Sequence, residues 1–287
     1  MELRVIDAGR FKLDGGAMFG VVPKTLWSKL NPPDDNNLCT WALRCMLIET
    51  EQKRILIDTG IGHKQGEKFM SHFEPHGDGE LVASIERAGL SASGITDVFL
   101  THLHFDHCGG ALKRNDDDEI VPTFPNATYW THRDHLDWAL DPNPREKASF
   151  LKENIQPLID REVVKYIDDT NKDNWLGFAD IFFVNGHTEK MMIPRIRVNG
   201  KTIVFCADLL PSSFHVRMPY VMSYDIRPLD TLVEKEAFFE EAIENDYILF
   251  LEHDPETECI TLGKNDRGRY TIEKKMTLSE ALKTESI

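Results

Sequence analysis

Three histidines and an aspartate fall within six consecutive positions, His102-Leu103-His104-Phe105-Asp106-His107. Neutral imidazole and carboxylate are the ligands that divalent zinc, iron or manganese take. The run Val98-Phe99-Leu100 just before them is apolar and reads as the end of a buried strand. Ligands on a turn past a strand converge without displacing the core. Gly109-Gly110 follow, and paired glycines let the backbone turn sharply and pass close to a site. A polar loop rich in histidine is the plain alternative, and the spacing argues against it.

Three further strand ends repeat the arrangement. Ile181-Phe182-Phe183-Val184 runs into Gly186-His187-Thr188, Thr202 to Ala207 runs into Asp208, and Ile248-Leu249-Phe250-Leu251 runs into Glu252-His253-Asp254. One such residue alone would read as a turn former. Repetition at four strand ends reads as a metal centre assembled from separate strands. Asp58, in Ile57-Asp58-Thr59-Gly60, ends another strand and is expected to orient a ligand from behind.

These residues need a scaffold, and 287 residues can bury a substantial core as one large α/β domain or two smaller ones. Acids outnumber bases 48 to 33, for a net charge of −15. Nucleic-acid binding draws on Lys and Arg neutralising phosphates, so no nucleic-acid partner is expected. The cysteines Cys39, Cys45, Cys108, Cys206 and Cys259 are scattered, without a Cys-x-x-Cys pair, which fits free thiols in a reducing compartment. The first residues lack a signal-peptide pattern, and no apolar stretch is long enough to span a bilayer. The expectation is a cytoplasmic protein with no membrane partner.

Along the chain, residues 3–8 and 10–13 read as a strand pair. Residues 17–22 read as an apolar loop that is packed away, lines a pocket or meets a second subunit. Residues 41–49 and 54–57 read as a hairpin. A loop is expected over 63–78, a helix over 81–90, a strand over 97–100 and a solvated acidic turn at 116–118. A short strand at 127–130 precedes helices over 132–140 and 146–155, a helical insertion near 132–157. His132 and His135 share a helical face with the spacing of a metal-binding pair, but beside Arg133 and Asp134 it reads as solvent-facing. A second set of strands is expected at 163–167, 181–184, 191–198 and 202–207, with a hairpin at Asn199-Gly200. Then come an amphipathic helix over 229–243 that turns Leu232, Val233, Phe239, Ala242 and Ile243 to one side, a buried strand at 247–251, a small strand at 259–262 pairing with 269–272, and a closing helix at 278–282. With no repeat or linker, residues 1–287 are expected to form a single domain.

The set His102-x-His104-x-Asp106-His107, His187, Asp208 and His253 resembles the metallo-β-lactamase superfamily in its two-metal form, and Asp58 matches that superfamily's first acidic motif. The resemblance covers nearly the whole chain in order. It implies an α/β fold, an αββα sandwich of two mixed β-sheets flanked by helices, with the site at one edge between the sheets. It also implies two divalent metal ions: zinc, with iron, cobalt or manganese also suiting the donors. His102, His104 and His187 would hold one ion, Asp106, His107 and His253 the other, and Asp208 would bridge them. Such a pair makes hydroxide available near neutral pH and polarises the oxygen that gains charge. Asp106 would also be catalytic, accepting a proton or delivering one to the leaving alkoxide.

Within the superfamily the chain resembles N-acyl homoserine lactonases and the methyl parathion hydrolase group. The likeness is carried by Gly15-Gly16-Ala17-Met18-Phe19-Gly20, by Asp106 to Gly110 and by Ala207-Asp208-Leu209-Leu210-Pro211. It implies hydrolysis of a small apolar ester, a lactone such as an N-acyl homoserine lactone. Met18 and Phe19 would line the acyl pocket, and the chain would form a homodimer. Where the lactonases carry a substrate-binding tyrosine, this chain has Pro211. That departure moves it toward the methyl parathion hydrolase side, with His215, Tyr220 or Tyr224 as replacement donors. Phosphotriester or aryl ester hydrolysis is therefore the alternative activity. A nuclease of the same fold, which would need a basic groove, and a non-catalytic metal-binding module are the remaining alternatives.

Overall fold

A computed structural model describes residues 1–283. The chain divides into two compact units. Residues 1–11, 42–171 and 189–192 make the first; residues 12–41, 172–188 and 193 onward make the second.

In chain order the first eight strands are β1 (Glu2–Asp14), β2 (Leu38–Glu49), β3 (Arg54–Ile57), β4 (Asp97–Phe99), β5 (Leu112–Arg114), β6 (Ile120–Pro122), β7 (Thr128–Thr131) and β8 (Val164–Tyr166). Six of them form one mixed sheet in the order β1-β2-β3-β4-β7-β8, and β5 and β6 form a separate hairpin. β3, β4, β7 and β8 pair in parallel, so their carboxyl ends share one edge. That edge is where ligands gather in open α/β sheets. β4 is buried throughout, as a central parallel strand must be. Its one polar residue, Asp97, accepts from Lys53 Nζ at 2.8 Å and Trp130 Nε1 at 2.9 Å.

The remaining strands are β9 (Ala179–Val184), β10 (Met191–Val198), β11 (Lys201–Phe205), β12 (Ile248–Phe250), β13 (Cys259–Lys264) and β14 (Tyr270–Met276), ordered β14-β13-β12-β11-β10-β9 in a second mixed sheet. Asn199 and Gly200, at φ 51° and 75°, form the expected tight turn between β10 and β11. β11 and β12 pair in parallel, with Phe205 opposite Phe250. This register places Asp208 and His253, each three residues beyond its strand, at one edge of this sheet. His102 and His187 stand the same three residues past the ends of β4 and β9.

Several local expectations are corrected. The first strand is continuous from Glu2 to Asp14, because Gly9 takes φ 101° without leaving the sheet. Residues 17–22 are partly helical: Gly15–Phe19 is a short helix capped by Asp14, which accepts from the Ala17 amide at 2.9 Å. Residues 63–78 include the helical turn Glu67–Met70. β8 joins the first sheet rather than the second. The second helix of the 132–157 region starts late, as Lys152–Asp160. In helix Pro228–Glu244, Val233 is 69% exposed while Lys235 is buried. The acidic residues 116–118 are exposed in the β5–β6 turn, as expected.

Candidate metal centre

The first unit carries His102, His104, Asp106 and His107, all buried. Ligand atoms of His102 lie within 4.8 Å of those of His104 and His107, as do those of Asp106 and His107. Asp58 fixes this cluster from beneath. One of its oxygens accepts from the Thr101 amide at 2.8 Å; the other accepts from Thr101 Oγ1 at 2.6 Å and lies 3.1 Å from His107 Nδ1. That contact leaves His107 Nε2 on the side of Asp106, 3.7 Å from Oδ2. Asp58 holds a left-handed backbone at φ 56°, a conformation that Asp tolerates better than most residues and that is kept where surroundings demand it.

The glycines behave as their sequence context implies. A Cβ on Gly109 would lie 2.1 Å from the Ile61 carbonyl oxygen, and one on Gly110 would lie 2.1 Å from that of Thr59. The Asp58 turn therefore packs backbone to backbone on the loop that follows His107, with the Thr59 amide donating to the His107 carbonyl at 2.8 Å. Cys108 is part of this packing, and burial pushes its thiol up to about 12.

His132 and His135 are not solvent-facing. His132 caps its helix by accepting from the Asp134 amide at 3.1 Å, and His135 is fully buried with both ring nitrogens engaged. Burial pushes His135 down to about 3, so it is a neutral imidazole.

The second unit carries His187, Asp208 and His253. Asp208 divides its oxygens between them: Oδ2 is 3.1 Å from His187 Nε2, and Oδ1 is 3.2 Å from His253 Nε2. A carboxylate that faces two imidazoles through different oxygens is the arrangement a bridging ligand needs. Ala207 holds Asp208 there with a left-handed backbone, φ 42°. His253 is held by its amide, which donates to the Pro211 carbonyl at 3.0 Å. His187 Nδ1 lies 2.8 Å from Asp225 Oδ1. No sequence signal points to Asp225. It stands 38 residues from His187, and no motif surrounds it.

Of the expected pocket residues, Met18, Phe19, His215 and Tyr220 come together in the second unit, buried. Phe19 stacks on His215 with centroids 5.0 Å apart, stacks on Trp27 at 5.3 Å, and meets Tyr220 edge-on at 6.2 Å. His215 engages Ser212 Oγ at 2.7 Å and the Met18 carbonyl at 2.9 Å. Its Nε2 thus holds the Met18-Phe19 turn. Tyr224 is partly buried, next to Asp225.

Buried imidazoles and carboxylates, with the far nitrogens of His107 and His187 held by carboxylates, are a donor set that fits divalent metal ions. No helix among the described residues is long and apolar enough to cross a membrane.

The sequence profile of the Metallo-beta-lactamase superfamily matches residues 43–253. An N-acyl homoserine lactonase of Bacillus thuringiensis is 27% identical over 174 residues, 57% of this chain and 59% of the lactonase. The chain thus spans about three fifths of the length of that curated relative. Among solved structures, a probable metal-dependent hydrolase from Staphylococcus aureus superposes with a TM-score of 0.84 at 26% identity, over 100% of this chain and 98% of that one. AidC, a dizinc quorum-quenching lactonase solved with N-hexanoyl-L-homoserine as product, superposes with a TM-score of 0.77 at 20% identity, over 96% of this chain and 95% of its own.

Proposed function

The chain belongs to the metallo-beta-lactamase superfamily, and from that premise we propose that it is a two-metal hydrolase of small apolar esters, with lactones of the N-acyl homoserine type as its substrate class. The observation that carries this reading is Asp208, whose two oxygens face His187 and His253 separately. We assign His102, His104 and His187 to one ion, Asp106, His107 and His253 to the other, and Asp208 to both. The family match at 43–253 draws on both compact units, which supports reading the chain as one hydrolase domain. Zinc is the proposed metal, supported by the nitrogen-rich donors and the likeness to a dizinc lactonase.

When bound, two such ions acidify a water molecule and polarise the ester carbonyl. The chain's own residues do the rest. Asp106 is buried at the ligand loop and takes the proton from the attacking water or gives it to the departing alkoxide oxygen. Asp58 and Asp225 hold His107 and His187 in fixed orientations. Met18, Phe19, Tyr220 and Tyr224 are assigned to the substrate wall, and His215 is the support of the Met18-Phe19 turn. A homodimer is part of the proposal, supported by Val21 and Leu26, which are apolar yet 92% and 51% exposed beside that turn. Five free, buried cysteines support a reducing compartment, the cytoplasm, as its place of work.

Phosphotriester hydrolysis is the second reading, favoured by Pro211, which stands where the lactonases place a tyrosine and whose carbonyl is engaged by His253. A panel of acyl lactones, aryl esters and paraoxon-like triesters, offered to metal-loaded protein, tests both. Lactone opening at the highest kcat/KM supports the first reading, and faster triester turnover supports the second.

A further inference from the structure

The helical segment that follows β7 reaches the ligand loop at three consecutive residues, all within the first unit. At Leu103, between two ligand histidines, the backbone amide donates to His135 Nε2 at 2.8 Å. At His104, Nε2 lies 3.6 Å from Glu146 Oε1, and the Phe150 ring packs on the imidazole with centroids 4.7 Å apart. At Phe105, the amide donates to the Ser149 carbonyl at 3.0 Å.

Both polar partners are themselves fixed. His135 donates from Nδ1 to the Glu189 carbonyl, which leaves Nε2 as the acceptor that Leu103 requires. Glu146 is buried, and its second oxygen accepts from Trp138 Nε1 at 2.8 Å and from Asn143 Nδ2. A buried carboxylate costs several kcal/mol to desolvate, and Trp138 and Asn143 offset part of that cost at one oxygen. The other is aimed at His104.

We propose that Glu146 and His135 are positioning residues for the metal centre, Glu146 orienting the His104 imidazole and His135 fixing the backbone between His102 and His104. This rests on the two-metal reading above. Glu146 raises the donor strength of His104 and narrows its rotation, as carboxylates behind ligating histidines do. His135 acts one step further out, on the peptide and not on a ligand ring. The segment is therefore part of the centre rather than a cover over it.

The test is metal affinity by chelator competition, with metal content and the visible spectrum of the cobalt-loaded protein, on wild type, Glu146→Gln, Glu146→Ala and His135→Phe. Melting temperature is followed on the metal-free proteins. Glu146→Gln preserves shape and the bonds from Trp138 and Asn143 while removing the charge. It is expected to bind one of the two ions roughly 10- to 100-fold more weakly, with a shifted cobalt spectrum and an unchanged metal-free melting temperature. His135→Phe keeps the ring and is expected to weaken binding while remaining folded. Wild-type affinity and an unshifted spectrum in Glu146→Gln, with only a lowered melting temperature in Glu146→Ala, overturn the proposal and leave the two-metal reading standing. A wild type that binds no metal overturns both.

Discussion

His187 Nδ1 lies 2.8 Å from Asp225 Oδ1, and both side chains are buried. The carboxylate fixes which ring nitrogen of His187 faces Asp208, 3.1 Å away on the other side. A turn with no recognisable motif therefore determines how a proposed ligand is presented. Asp225→Asn is expected to weaken metal binding about 10- to 100-fold while the protein stays folded. Chelator competition measures the loss, and circular dichroism checks the fold. Unchanged affinity would show that His187 needs no such anchor.

Asp208 stands between His187 and His253 with one oxygen toward each. If it serves both ions, its removal is felt at both. Asp208→Ala is expected to retain fewer metal ions per chain than wild type after exhaustive dialysis, counted by elemental analysis. Retention of the full wild-type complement would remove Asp208 from the bridging role.

Gly109 has no room for a side chain, since a Cβ would sit 2.1 Å from the Ile61 carbonyl oxygen. Gly109→Ala is expected to destabilise by about 1–3 kcal/mol, the usual cost of overpacking. Gly66, where an added Cβ would meet nothing within 4 Å, is the control. Thermal melts of the two variants should separate clearly, with Gly66→Ala near wild type. Equal melting temperatures would contradict the backbone contact.

Lys235 is buried and donates to the carbonyls of Arg217 at 3.1 Å and Tyr220 at 3.0 Å. Burial pushes it down to about 7 from the ordinary 10.5. Between those values the unfolded chain holds a proton that the folded chain lacks, so this residue's contribution to stability rises with pH across the window. Below about pH 7 the cost of burying the charge is fully present. The melting temperature of wild type minus that of Lys235→Met should therefore increase from pH 7 to pH 10. A flat difference would mean that Lys235 is not held in a desolvated state.

The proposed ligand positions are legible in the sequence because strand ends are local: an apolar run followed three residues later by His or Asp is visible in one stretch, as at Phe99 and His102 or Phe205 and Asp208. Asp58 is legible for the same reason. The residues behind the ligands are not. Asp225 meets His187 only through folding across 38 residues, and His135, flanked by Arg133 and Asp134, has the local appearance of a surface residue. β8 sits in the first sheet beside β7, the strand before it, and a three-residue strand that follows a helical connection carries no pattern that names its neighbour. Lys235 defeats the helical-face reading because a lysine counts as polar, although its Nζ donates to two backbone carbonyls in the core.

Lactone opening by two metal ions and Asp106 is the proposed activity. The most direct test is the initial rate of acyl lactone opening, followed by proton release, as metal is titrated into metal-free wild type and Asp106→Asn. Activity is expected to rise to a maximum at two metal equivalents per chain in wild type and to be at least about 100-fold lower in the variant, the scale of a lost acid–base group. Wild type that carries two ions and opens no acyl lactone would rule out lactone opening, and Asp106→Asn that matches an active wild type would remove Asp106 from the catalytic role.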